Sequence, residues 1–103
     1  YLDGTWKNLK GSMKLISDSG SIVVPYTGKE VNIVTAGDAN LKIKIDGKII
    51  DPSISGKDVG ALGSVHVHES GLYTIVQTST SEDHTLEILV ETPGFEIFTF
   101  TFG

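Results

Sequence analysis

At 103 residues the chain is long enough to bury one core and too short for two. Its 39% hydrophobic and 20% charged content fits an ordinary globule better than a disordered or membrane chain. The 8 basic residues are scattered Lys with no Arg, and the formal charge of -5 argues against a nucleic-acid surface.

No apolar run approaches the roughly 18 residues of a membrane span, so insertion by this segment is not expected. Cysteine is absent, which removes disulfides, thiol catalysis and thiolate metal sites from these residues. With Tyr1 in place of Met, the sequence reads as one domain, residues 1–103, forming the C-terminal part of a longer chain.

The lead-in YLDGTW holds the only Trp. Trp6 reads either as an apolar plug with its N–H on a backbone carbonyl or as a sugar-stacking platform; the area an indole buries favours the plug. Residues 12–17 (SMKLIS) and 21–26 (SIVVPY) read as strands. Pro25 cannot donate to a ladder, which places its strand at an edge or a bulge. Thr27-Gly28-Lys29 reads as a turn into 30–36 (EVNIVTA), rich in β-branched residues.

The sharpest local signal is LKIKI at 41–45, followed by Asp46-Gly47 and Lys48-Ile49-Ile50. Asp-Gly between alternating segments predicts a type I′ hairpin turn, which needs two positive φ values. Residues 51–63 (DPSISGKDVGALG) lack strand periodicity and are predicted to be a surface loop. Residues 64–69 and 72–77 read as further strands, and the polar stretch 78–83 reads as a connector.

At the C-terminal end, Leu86, Ile88 and Val90 alternate with Thr85, Glu87 and Glu91, the period of a half-buried strand that Leu89 interrupts. Pro93-Gly94 predicts a turn. In the closing FEIFTFTF, Phe98, Phe100 and Phe102 share one face. Three Phe on one face predict a strand central to a sheet that closes the core. No segment has helical spacing, and turns recur about every 8–12 residues. The expected fold is all-β: a jelly-roll sandwich of two antiparallel sheets and about eight strands.

His66 and His68 lie two apart, so their imidazoles project from one strand face, either as a metal pair or as solvent-facing polar residues. Gly60 and His-x-His resemble the opening of the cupin metal motif, whose following Glu is missing: positions 72 and 73 are Leu and Tyr. Only a distant residue such as His84 could complete such a site. Asp38, Asp46, Asp51 and Asp58 fall in or beside loops. Turn chemistry accounts for them, and a structural calcium stays open as the one cofactor considered. No Gly-x-Ser-x-Gly elbow, phosphate loop or apolar carboxylate pair supports catalysis, so no enzyme is expected.

Gly4-Thr5-Trp6, Asp46-Gly47, Leu72-Tyr73, Leu86-Glu87-Ile88 and the ending Pro93-Gly94-Phe95 through Phe-Thr-Phe-Gly103 together resemble a known family. It is the C-terminal domain that follows the thioredoxin-like domain in DipZ-type extracytoplasmic thiol-disulfide exchange proteins. The resemblance implies a sandwich similar to carbohydrate-binding modules, held outside the cytoplasmic membrane beside a thioredoxin-like domain that carries the redox cysteines. The resulting expectation is a non-catalytic accessory role, with a glycan as the hypothesised ligand; the likeness to sugar-binding modules is one of fold. By residue type, Trp6, Tyr26 and Tyr73 are candidate platforms, with Asn32, Asp38 and Gln77 as polar partners. A docking domain that packs on the redox domain or its protein partners is the alternative.

Overall fold

The computed structural model describes residues 1–103 and is built almost wholly of strands. In chain order these are β1 (Leu2–Asp3), β2 (Trp6–Leu9), β3 (Ser12–Leu15), β4 (Gly20–Ala36), β5 (Ala39–Ile45), β6 (Lys48–Ile49), β7 (Ser64–Val67), β8 (Gly71–Val90) and β9 (Glu96–Phe102). Every pairing is antiparallel. The nine strands form one curled sheet with the path β2-β3-β9-β4-β8-β5-β6, with β1 added on β4 and β7 on β5.

Two long strands make this sheet into a sandwich. Residues 20–28 of β4 pair with 82–90 of β8, which then pairs with β5. Residues 30–35 of β4 pair with 71–77 of β8 and, on the other side, residues 31–36 pair with β9. The register breaks where Gly28 faces Glu82 and Glu30 faces Gln77, so 78–81 bulge opposite Lys29 alone. A bulge bends a ladder and increases its twist, which carries both strands from one layer into the other. The Thr78 hydroxyl donates to the carbonyls of Lys29 (3.1 Å) and Thr80 (2.7 Å) inside the bulge.

This geometry corrects two expectations. The 27–29 segment is the crossing point inside β4, not a turn between strands, and 78–83 is strand, not connector. Their polar composition reflects an exposed corner. Pro25 behaves as expected. Val23 N–H donates outward to the Tyr1 carbonyl at 2.8 Å, and Pro25, two residues on, points the same way past the end of β1. Its missing donor faces an open edge.

The Asp46-Gly47 turn also forms as predicted, with φ of 53° and 85°. Nothing lies within 4 Å of a Cβ built on Gly47, so Gly47→Ala meets only backbone strain. A loss of about 1 kcal/mol is expected in urea unfolding. Residues 51–63 form the expected surface loop with two short 3₁₀ turns, Pro52–Ile54 and Ala61–Gly63.

Nineteen apolar side chains fill the space between the layers, among them Ile22, Leu41, Ile43, Leu86 and Ile88 from one side and Leu15, Val31, Ile33, Ile75 and Phe95 from the other. β9 is central, between β3 and β4, but its three-Phe face does not survive. Thr35 pairs with Ile97 and Val34 with Thr99, leaving Phe98 as the extra residue of a bulge. Facing therefore shifts by one. Ile97 and Phe95 are buried, Phe100 is half-buried against the core opposite Ile33, and Phe98 is 45% exposed.

Candidate functional site

One end of the sandwich gathers side chains from four strands. The β4–β8 register sets Tyr26 opposite His84, Thr27 opposite Asp83 and Pro25 opposite Thr85. The hairpin turn after β5 reaches this row through a reciprocal pair of bonds. Asp46 N–H donates to the Thr85 carbonyl at 2.9 Å, and Thr85 N–H donates to Asp46 Oδ1 at 2.8 Å. The result is an open cleft of about 400 Å³ floored by Tyr26 and walled by Thr27, Asp46, Asp83, His84 and Thr85. The Thr27 hydroxyl donates to Asp83 Oδ1 across it.

His84 holds the wall together. Its Nδ1 lies 2.6 Å from Asp46 Oδ2 and its Nε2 2.7 Å from Glu82 Oε1. Ionised carboxylates only accept, so the two contacts are both satisfied when both ring nitrogens carry protons, as an imidazolium. The bond with Glu82, then that with Asp46, raises the His84 pKa above its ordinary value. The Thr85 N–H, then His84, holds the Asp46 carboxyl below the usual range.

Beneath them Tyr26 is 8% exposed, and its hydroxyl has no hydrogen-bond partner within the chain. Burial, reinforced by the negative charges of Asp46 and Glu82, raises its pKa. Phe102 stacks on Tyr26 with centroids 5.7 Å apart and on Phe100 at 6.0 Å. It stands at the end of β9 and is 44% exposed.

Of the six side chains singled out from the sequence, only Tyr26 lies in this cleft. Trp6 is half-buried, edge-on to Phe95 at 6.5 Å, with Nε1–H donating to the Asp3 carbonyl at 2.8 Å, as the plug reading expects. Tyr73 is half-buried and donates to the Glu69 carbonyl at 2.8 Å. Asn32 and Gln77 come together around Glu30 on the other layer. Asn32 Nδ2 donates to Glu30 Oε2 at 3.4 Å and its Oδ1 accepts from the Thr74 hydroxyl at 2.6 Å, while Gln77 pairs directly with Glu30. Asp38 is exposed and meets His66 Nε2 at 3.0 Å.

His66 on β7 and His68 just past its end are both exposed, with ring centroids 5.5 Å apart. His84 cannot join them. The Asn40 partner of His66 and the Asp46 partner of His84 are six residues apart along the chain, roughly 20 Å of extended strand. No three His, Asp or Glu side chains are grouped to hold a metal ion. The loop aspartates bond separately: Asp51 Oδ1 accepts from Ser53 N–H at 2.9 Å within the loop, and Asp58 Oδ2 from Thr74 N–H of β8 at 2.7 Å.

Two other clefts exist. One of about 450 Å³ between β1 and the end of β8 presents Asp3, Ser21, Glu87 and Glu91 but no aromatic ring. The other, about 290 Å³, lies beside His66 with Lys42, Ser64 and Glu91. Neither joins a phenyl or phenol ring to its polar groups.

Sequence reasoning missed Asp83, Thr27 and Phe102, and gave Asp46 and His84 other roles. Only the pairing of Tyr26 with His84, some 58 residues apart, makes them neighbours.

The fold and the cleft define an all-β sandwich of the jelly-roll class that carries a polar cleft at one end. Within that class the chain belongs to the family described as the thioredoxin-like C-terminal domain, whose model matches residues 1–103. No curated protein sequence matches it significantly. Among solved structures, a family two carbohydrate esterase from Clostridium thermocellum in complex with cellohexaose is similar over 100% of this chain, with a TM-score of 0.77 and 14% identity. An active-site mutant of a family two carbohydrate esterase from the same organism gives a TM-score of 0.71, also at 14% identity. The chain spans 30% of the length of each, and the likeness is one of fold.

Proposed function

We propose that the chain is a non-catalytic, carbohydrate-binding-like accessory module of an extracytoplasmic thioredoxin-family protein, with the Tyr26 cleft as its glycan site. One juxtaposition carries this reading. The Asp46 and Asp83 carboxylates and the Thr27 hydroxyl line a cleft with Tyr26 at its base, and the partly exposed Phe102 ring stacks on that same Tyr26. Sugars present C–H faces that stack on rings and hydroxyls that donate to carboxylates, and a cleft offering both suits them. The fold likeness to an esterase solved with cellohexaose adds support.

The test is a glycan array of envelope and plant polysaccharides, followed by calorimetric titration with cellohexaose and the best array hit. Phe102→Ala is expected to weaken binding about tenfold, near 1.4 kcal/mol, the effect of removing one well-placed aromatic anchor. Silence across the array would transfer the function to protein docking. A specific observation favours that second reading: Leu72 is 54% exposed and pairs with Val34, and Val34 faces Thr99 next to exposed Phe98 on the outer side of the other layer.

A further inference from the structure

The geometry points to His84 as the positioning residue of the Tyr26 cleft, holding its wall in place only while both ring nitrogens are protonated. The inference rests on the reading of this cleft as the glycan site. His84 spans from Glu82 on β8 to Asp46 at the tip of the hairpin between β5 and β6, with Nε2 and Nδ1 each within 2.7 Å of a carboxylate oxygen.

The tip is held to β8 at two residues, Thr85 and His84. Asp46 is bound to β8 by the reciprocal Thr85 bonds and by His84, and β6 is only two residues long. Both Asp46 oxygens are thereby committed, Oδ1 to the Thr85 amide and Oδ2 to the imidazolium. Loss of one ring proton leaves a lone pair facing an ionised carboxylate. Two acceptors then face each other at hydrogen-bond distance, and one of the two contacts must open. When the Asp46 contact opens, the hairpin wall of the cleft moves.

The charged and titratable groups around the ring are Asp46 from the hairpin, Glu82 and Asp83 from β8 and the Tyr26 hydroxyl from β4. No Lys side chain forms an ion pair with any of them, so the imidazolium is the only cation in ion-pair contact with these carboxylates. The direction of the pH effect follows. A histidine whose pKa is raised on folding contributes fully below its ordinary value of about 6.5, and the contribution is lost as pH rises through the folded value. Asp46, held low, stays ionised until pH falls through its own depressed value. The wall is therefore best ordered in mildly acidic solution and loosens toward alkaline pH.

The experiment follows the His84 ring resonances and the Asp46 and Thr85 backbone amides by NMR between pH 5 and 9, alongside titration with cellohexaose and the best array glycan at pH 5.5 and 9. His84 is expected to titrate above about 6.5 with both amides following the same midpoint, and glycan binding to weaken about tenfold at the higher pH. His84→Lys keeps a cation across the range and should flatten the pH dependence. His84→Gln should resemble the alkaline state at every pH. A His84 midpoint at or below 6.5 with unmoved amides overturns the inference, and so does glycan binding that is equal at both pH values. Amides that follow His84 with no glycan bound at either pH retire the glycan reading and leave the clamp standing.

Discussion

Phe95→Ala is expected to destabilise the chain by about 3–5 kcal/mol in urea unfolding, a large share of the roughly 5–15 kcal/mol that holds a domain of this size folded. Phe95 is fully buried. It follows the Pro93-Gly94 turn, receives the edge of Trp6 at 6.5 Å, and lies where Leu15 N–H donates to its carbonyl at 2.8 Å and Gly94 N–H to that of Leu15 at 2.8 Å. Those bonds pin the backbone, so the cavity left by the ring cannot collapse easily and the cost sits high in the range. The control is Phe98→Ala. Phe98 is 45% exposed on its bulge, and less than about 1 kcal/mol should be lost. Strict alternation along β9 predicts the reverse order, so the pair of measurements separates bulge from regular strand.

Gly56→Ala comes next in expected size. A Cβ at this position would stand 2.3 Å from the Thr74 carbonyl oxygen, 2.6 Å from its carbon and 2.8 Å from Ile75 N. All three are backbone atoms of β8 and none can swing aside. The loop must lift from the strand edge, losing Gly56 N–H to Ile75 O at 3.1 Å, Asp58 N–H to Thr74 O at 3.2 Å and Thr74 N–H to Asp58 Oδ2 at 2.7 Å. At about 1 kcal/mol per bond, with more for the charged acceptor, a loss of about 3 kcal/mol or more is expected. Amide exchange at Thr74 should accelerate with it. Gly60→Ala, whose Cβ would meet only the Ser64 carbonyl at 3.6 Å, should stay within about 0.5 kcal/mol of the parent.

These positions mark how far the fold was legible in the sequence. Local chemistry read true: Asp46-Gly47 gave its hairpin, Pro25 its open edge, and Trp6 its bond to a carbonyl. What alternation could not carry was a change of phase. Phe98 looks like a core residue because nothing in FEIFTFTF announces an extra residue between Ile97 and Thr99. The polar run 78–83 looks like a connector because a strand that turns an outer corner has no buried face there to pattern it. The site was less legible than the fold. Trp6 and Tyr73 were drawn out for their rings, yet both direct their polar atoms to backbone carbonyls. Phe102, Asp83 and His84 gain their meaning only from register, which brings the end of β9 and the middle of β8 to Tyr26.

The most direct test of the glycan surface is to map it. An amide-resolved NMR titration of the chain with the best array glycan at pH 5.5 should move Thr27, Asp83, Thr85 and Phe102 together. Amides near the other two clefts, such as Ser21 and Ser64, should stay in place. Perturbations centred on Ser21, on Ser64 or on the Leu72–Phe98 face, with the Tyr26 end unmoved, would contradict the assignment of the cleft.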